Sequence, residues 1–108
     1  ILKEEFDFNE DYLWLPIENV PVNKQWKVQL NKPVDLSTLN DENVYIIDNN
    51  NIKFEIELNF DESNNTILIT PKEKYISGQK YSLVISDNLL SLDGEKLAEL
   101  INKDFIVE

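Results

Sequence analysis

Ile52-Lys53-Phe54-Glu55-Ile56-Glu57-Leu58-Asn59-Phe60 alternates apolar and polar residues without a fault. A period of two sends successive side chains to opposite faces of an extended chain. The stretch therefore predicts one half-buried β-strand, with Ile52, Phe54, Ile56, Leu58 and Phe60 toward a core and Lys53, Glu55, Glu57 and Asn59 toward water.

The same period recurs on both sides of it. Over residues 25–31, Trp26, Val28 and Leu30 alternate with Lys27, Gln29 and Asn31, which places Trp26 in the core before Lys32-Pro33 stops the strand. Residues 34–43 are rich in Asp, Ser, Thr and Asn, whose short side chains bond nearby backbone, so they read as a connection. Residues 43–48 form a more fully apolar strand, with Val44 and Ile46 opposing Tyr45 and Ile47. Asn49, Asn50 and Asn51 then turn the chain, since Asn tolerates the positive φ that hairpins demand. A polar run over 61–65 leads into a strand over 66–70 that Pro71 ends, giving a second hairpin. Gly78 marks a turn, and residues 80–86 alternate again with Tyr81, Leu83 and Ile85 on one face. After a loop over 87–94, Leu97, Leu100 and Ile101 recur at i, i+3 and i+4, which predicts one short helix over 95–102. Residues 104–107 supply a last strand with Phe105 and Val107 inward.

Ahead of the core, residues 1–11 are acidic with Phe6 and Phe8 interleaved, and are expected to be loosely held. Residues 12–15 are a short aromatic strand candidate ending at Pro16, and Pro21 makes 17–22 an edge strand, because proline cannot donate to a ladder. The expected division is an N-terminal extension or first strand over 1–16 and one domain over 17–108. About seven short strands with turn signals roughly every 8–12 residues predict an all-β antiparallel sandwich, with a barrel as the alternative. A parallel α/β fold needs a helical crossover between strands, and only one helix candidate exists.

Composition narrows the chemistry. A length of 108 residues suits one domain, and 42% hydrophobic residues are enough to build a core in spite of the charge. Acidic residues outnumber lysines 21 to 10, there is no Arg, and the net charge is −11. Nucleic-acid affinity depends on neutralising phosphates, so DNA, RNA and anionic lipid are poor partners. With neither Cys nor His, thiol catalysis, Ser–His–Asp catalysis, disulfides and imidazole or thiolate metal ligation are excluded. No apolar run approaches the roughly 20 residues of a membrane helix, so membrane insertion by this segment is not expected. The chain opens at Ile1 without Met, as expected of a piece cut from something longer, with any signal or anchor outside it. The preference for Lys over Arg, with abundant Ile and Asn, suits an AT-rich genome.

Read in order, several of these cues resemble one family. A core strand runs into Lys32-Pro33-Val34-Asp35, and Leu39-Asn40 and Asn43-Val44 precede the next strand. Thr66, Leu68, Ile69 and Thr70 end at Pro71; Tyr75, Gly78 and Tyr81 follow, then Asp93-Gly94 with Leu97 and a closing Phe105. That order, over residues 20–108, is similar to the bacterial Ig-like domain of surface-layer and other cell-surface proteins, the SbsA-type Ig-like domain. The resemblance implies an Ig-like β-sandwich, a place outside the cell or on its surface, and a non-enzymatic structural, spacing or docking role in a larger protein. Its partners would be neighbouring domains, and in an adhesive alternative a cell-wall glycan or host protein held by exposed aromatics or edge strands. The acidic aromatic N-terminus and the helix over 95–102 depart from the family pattern.

Asp41-Glu42, Asp61-Glu62 and Asp93-Gly94-Glu95 are paired acids, but all fall in turns, where carboxylates are usually solvated or cap backbone, so no catalytic residue is assigned. Asp61, Ser63 and Asn65 mimic the first ligands of a calcium loop, yet Thr66 stands where glycine is needed and Lys72 where a bidentate Glu belongs. No cofactor is expected, and a calcium-rigidified linker stays a third reading. Tyr12 and Trp14 are the candidate ligand contacts, as an aromatic platform for sugar or peptide. Lys27, Lys53 and Lys80 face outward and no lysine occupies an apolar phase, which argues against a buried Lys–Asn isopeptide crosslink.

Overall fold

The computed structural model describes residues 2, 4–6, 17–98 and 100–108. Among them are nine strands: β1 (Glu4–Phe6), β2 (Ile17–Val20), β3 (Trp26–Leu30), β4 (Val44–Asp48), β5 (Lys53–Phe54), β6 (Ile56–Asp61), β7 (Thr66–Pro71), β8 (Lys80–Ile85) and β9 (Ile101–Val107). They form two sheets, ordered β1-β3-β7-β6 and β2-β9-β8-β4-β5, with a 3-10 turn at Leu36–Thr38. This is the expected Ig-like sandwich. Neighbouring strands are antiparallel except β2 and β9, which run parallel. The acidic start is more ordered than expected at Glu4–Phe6, whose backbone pairs with β3.

The two inner faces follow the period-two reading. Trp26, Val28 and Leu30 from β3 and Ile67 and Ile69 from β7 meet Val44, Ile46, Tyr81, Leu83, Ile85 and Phe105 from the other sheet, all buried. Toward one end the core is aromatic: Trp26 and Phe105 ring centres lie 4.9 Å apart, Phe105 and Tyr75 5.3 Å, and Tyr75 and Tyr81 5.1 Å. Tilted and edge-on rings at such distances add to simple burial.

The nine-residue alternation resolves differently from one strand. Residues 53 and 54 pair with β4 in the second sheet, whereas residues 56–61 pair with β7 in the first, and the chain changes sheets at Glu55. The phase survives, because Phe54, Ile56, Leu58 and Phe60 all pack against the core. They are only half-buried, since β5 and β6 are the edges of their sheets. Ile52 falls out of the pattern; it sits in the preceding turn and is 63% exposed.

Two further expectations need correction. Residues 95–102 are not a helix: Lys96 bridges Leu90, Leu97 bridges Leu2, and β9 begins at Ile101. Three apolar residues at helical spacing are outweighed by a ladder in which residues 101–106 pair one for one with residues 80–85 of β8. Leu97 is a buried loop anchor, whereas Leu100 is exposed. Because β9 starts three residues earlier than expected, Lys103 shares the inward phase of Ile101, Phe105 and Val107 and is 5% exposed. One lysine therefore does occupy an apolar phase, although Lys27, Lys53 and Lys80 are exposed as expected.

The chain enters and leaves at opposite ends of the sandwich. Leu2 bridges Leu97 just before β9 starts, and Glu108 N donates to Val20 O just after it ends. We call these the upper and lower poles; the long axis of the molecule measures 40 Å.

Candidate functional site

At the upper pole the connections over 31–43 and 86–100 fasten to each other. Val34 bridges Ser91, Leu92 N donates to Pro33 O at 3.0 Å, and Asp35 N donates to Leu90 O at 2.9 Å. Lys32 Nζ reaches Glu95 at 2.7 Å and Asp93 at 3.2 Å. Gly94 supplies the positive φ of 84° that turns the chain between those two acids. The Lys32-Pro33-Val34-Asp35 and Asp93-Gly94 steps, read separately along the sequence, are thus two sides of one contact.

The lower pole is closed by tyrosines. Tyr81 lies near the start of β8 with its ring buried, and its hydroxyl accepts from Ile76 N at 2.9 Å. A tyrosine bonded to backbone a few residues upstream in this way pins a corner of an Ig-type sandwich. Tyr75 donates to Lys24 O at 3.2 Å, and burial pushes its hydroxyl well above the usual tyrosine range.

The three paired-acid segments all lie at the upper pole, on three separate connections. Among the described residues no three carboxylates converge closely enough to hold a metal ion. Asp61 is engaged by its own turn: it accepts from Ser63 N at 3.1 Å, Ser63 Oγ at 2.6 Å and Asn64 Nδ2 at 3.0 Å. Asn65, with φ of 50°, completes that hairpin.

Three serine–carboxylate contacts have the outward form of a nucleophile beside a base: Ser63–Asp61, Ser91–Asp93 and Ser82–Asp104. In each, the serine hydroxyl is the first cause of a carboxyl pKa held below 3.8. A carboxylate stabilised in that way is a poor proton acceptor, and general-base work calls for a pKa nearer the working pH. Each bond instead ties a turn or a cross-strand pair.

Tyr12 and Trp14 lie outside the described residues. Tyr45 is half-exposed on the outer face of the second sheet, with Lys53 Nζ 4.9 Å from its ring centre. A groove of about 300 Å³ runs beside the lower pole between β2 and β3, lined by Glu18, Asn19, Pro21, Lys24, Gln25 and Trp26. Lys24 lies over the Trp26 ring at 5.4 Å and covers that corner of the core. Sequence reading missed Lys103, because only the true start of β9 reveals its phase.

Comparison with known proteins agrees with this geometry. The family model described as bacterial Ig-like domain matches residues 17–106. The structure of surface layer protein SbsC, domains 1–6, superposes with a TM-score of 0.64 at 21% identity, covering 99% of this chain and 14% of that one. The N-terminal part of the bacterial S-layer protein SbsC gives 0.64 at 22% identity, over 99% of this chain and 23% of that one. CopC from Methylosinus trichosporium OB3b gives 0.58 at 12% identity, over 86% and 83% of the two chains. At such identities the likeness is one of fold, and the chain spans less than a quarter of either SbsC structure. No curated protein sequence matches it.

Proposed function

The chain belongs to the bacterial Ig-like domain family, and from that premise we propose that it is a non-catalytic spacer module of a larger bacterial cell-surface protein, held end to end between neighbouring domains. The observation that carries this reading is the placement of Leu2 and Glu108 at opposite poles, so that a chain continuing at each end would string modules along the 40 Å axis. The exposed large apolar residues support it. Leu36, Leu92 and Leu100 lie in the upper connections, and Ile52 and Ile76 in the lower ones. Single apolar residues at both poles, with the sheet faces left free, suit contact with a preceding and a following domain. SbsC adds a fold of this kind inside a surface layer protein several times longer.

Two measurements test it. Two copies joined in tandem should show, by small-angle scattering, a maximum dimension near twice the single long axis; a folded-over pair no longer than one copy would overturn the end-to-end reading. Antibody raised against the chain should stain intact cells of the source bacterium, and staining only after lysis would remove the surface placement.

A further inference from the structure

We propose that Asn64 is an N-glycosylation site, and that the first sugars attached to it rest in a polar groove beside it on the outer face of the first sheet. Asn64-Asn65-Thr66 is the one place in the chain where an asparagine is followed two residues later by serine or threonine, with no proline between. Glu62 stands two residues ahead and gives the stretch the acidic form of that motif which bacterial transferases take. A motif this short arises easily by chance, so its position has to carry the inference. An acceptor asparagine needs a surface loop that a transferase can grip. Thr66 pairs with Asp61 to close the β6–β7 hairpin, and Glu62, Ser63 and Asn64 are all exposed in its loop.

The local bonds suit the transfer. Asn64 Nδ2 donates to Asp61 at 3.0 Å, and Thr66 Oγ1 donates to Asn64 O at 3.1 Å. Both bonds are exposed, so other partners replace them at little cost when a transferase takes hold of the carboxamide and the hydroxyl. The donor is an oligosaccharide joined through its C1 to a lipid diphosphate. Nδ2 attacks C1, the C1–O bond to the diphosphate breaks, the diphosphate leaves with the bonding electrons, and one Nδ2 proton passes to a base of the transferase. The groove then gives the new sugar chain a seat. It measures about 380 Å³ and runs from Asn64 along the outward side chains of β3 and β7, where Gln29 lies opposite Thr66 and Lys27 opposite Leu68. Its amide, ammonium and hydroxyl groups can meet sugar hydroxyls, and Leu68 offers a patch for the apolar face of a sugar ring. The volume is near the low end for a small-ligand site, which suits the first sugars with the rest of the chain in water.

The inference rests on the surface reading only for where the chain meets a transferase, since transfer takes place on the outer side of the cell membrane. Acceptor competence can be tested apart from location. The folded chain, incubated with a purified bacterial oligosaccharyltransferase and its lipid diphosphate-linked oligosaccharide, should gain the mass of one oligosaccharide, and peptide mass spectrometry should place it on Asn64. Asn64→Gln and Thr66→Ala should each abolish the gain, Ser63→Ala should keep it, and Glu62→Gln should lose most of it. A peptide spanning residues 60–68 is the control: its modification without that of the folded chain would overturn the site. So would a bare Asn64 peptide in protein recovered from the source bacterium. Seating in the groove predicts a higher melting temperature for the modified chain, and Gln29→Ala should remove that rise at unchanged occupancy. Equal melting temperatures of the modified and unmodified forms would overturn the seating. Failed transfer with staining of intact cells would sink the glycan and leave the spacer reading, whereas transfer without staining would sink the surface placement instead.

Discussion

Lys103 sits on the inner face of the second sheet, with Leu83 directly opposite on β8. Desolvation by that burial pulls its pKa down from 10.5, while the charge of Asp104 acts the other way. A lowered pKa leaves more free amine, which would favour modification, but a reagent must first reach the nitrogen. Burial decides: under brief reductive methylation, peptide mass spectrometry should find Lys103 the last of the described lysines to react, and early modification would show that β9 opens readily. The carboxylates make a second residue-scale case. Ser82 first, with Lys80, lowers Asp104 from 3.8; Lys32 lowers Glu95 from 4.5. A folded pKa below the unfolded value contributes stability that is complete above the unfolded value and is lost as pH falls through the folded one. The urea midpoint should therefore decline once pH drops below about 4.5. Asp104→Asn should make that decline shallower, and an identical slope would mean that the Ser82–Asp104 pair has no role in acid stability.

At the scale of elements, the alternation from Ile52 to Phe60 shows what sequence can and cannot state. Phase is local, so the inward side chains from Phe54 to Phe60 were legible, as were the turns at Asn51, Asn65 and Gly78, whose φ values are positive. Which sheet a strand joins depends on partners far along the chain. Nothing within the nine residues announces that Glu55 lies between two sheets. The same blindness produced the helix over 95–102, because the ladder with β8 is a contact at long sequence separation. The candidate contacts Tyr12 and Trp14 stay outside the described residues, so the site was less legible than the fold. Two residues of equal standing in the alternation now separate. Phe54 packs against the rings of Tyr75 at 5.2 Å and Tyr81 at 5.5 Å, whereas Ile52 is largely exposed. Phe54→Ala should cost about 2–3 kcal/mol, at or below the low end for a fully buried Phe. Ile52→Ala should stay within about 0.5 kcal/mol, as surface changes do. Urea denaturation of both variants checks the pair, and a similar loss from each would restore the single-strand reading.

For the whole molecule, charge is distributed unevenly along the axis. Among the described residues the upper connections carry eight acids (Asp35, Asp41, Glu42, Asp61, Glu62, Asp87, Asp93 and Glu95) against Lys32 and Lys96. The lower pole carries Lys24, Lys53, Lys72, Lys74 and Lys80 against Asp48, Glu55 and Glu73, with Glu108 at the chain's end. A net charge of −11 on a body with a 40 Å long axis repels itself, and that repulsion weakens the compact state. The screening length falls to about 8 Å at physiological ionic strength, so salt relieves the crowding of charge at the upper pole. Added sodium chloride should raise the melting temperature steadily from low salt to that range, in contrast to a fold held mainly by surface ion pairs, which salt would weaken. Calcium separates general screening from a specific site. A bound ion would stabilise by mass action in proportion to its occupancy. Since no acidic trio converges among the described residues, calcium and magnesium at matched ionic strength should raise the melting temperature equally. A further rise with calcium alone, reversed by chelator, would place a calcium site in the chain and return the rigidified-linker reading to first place.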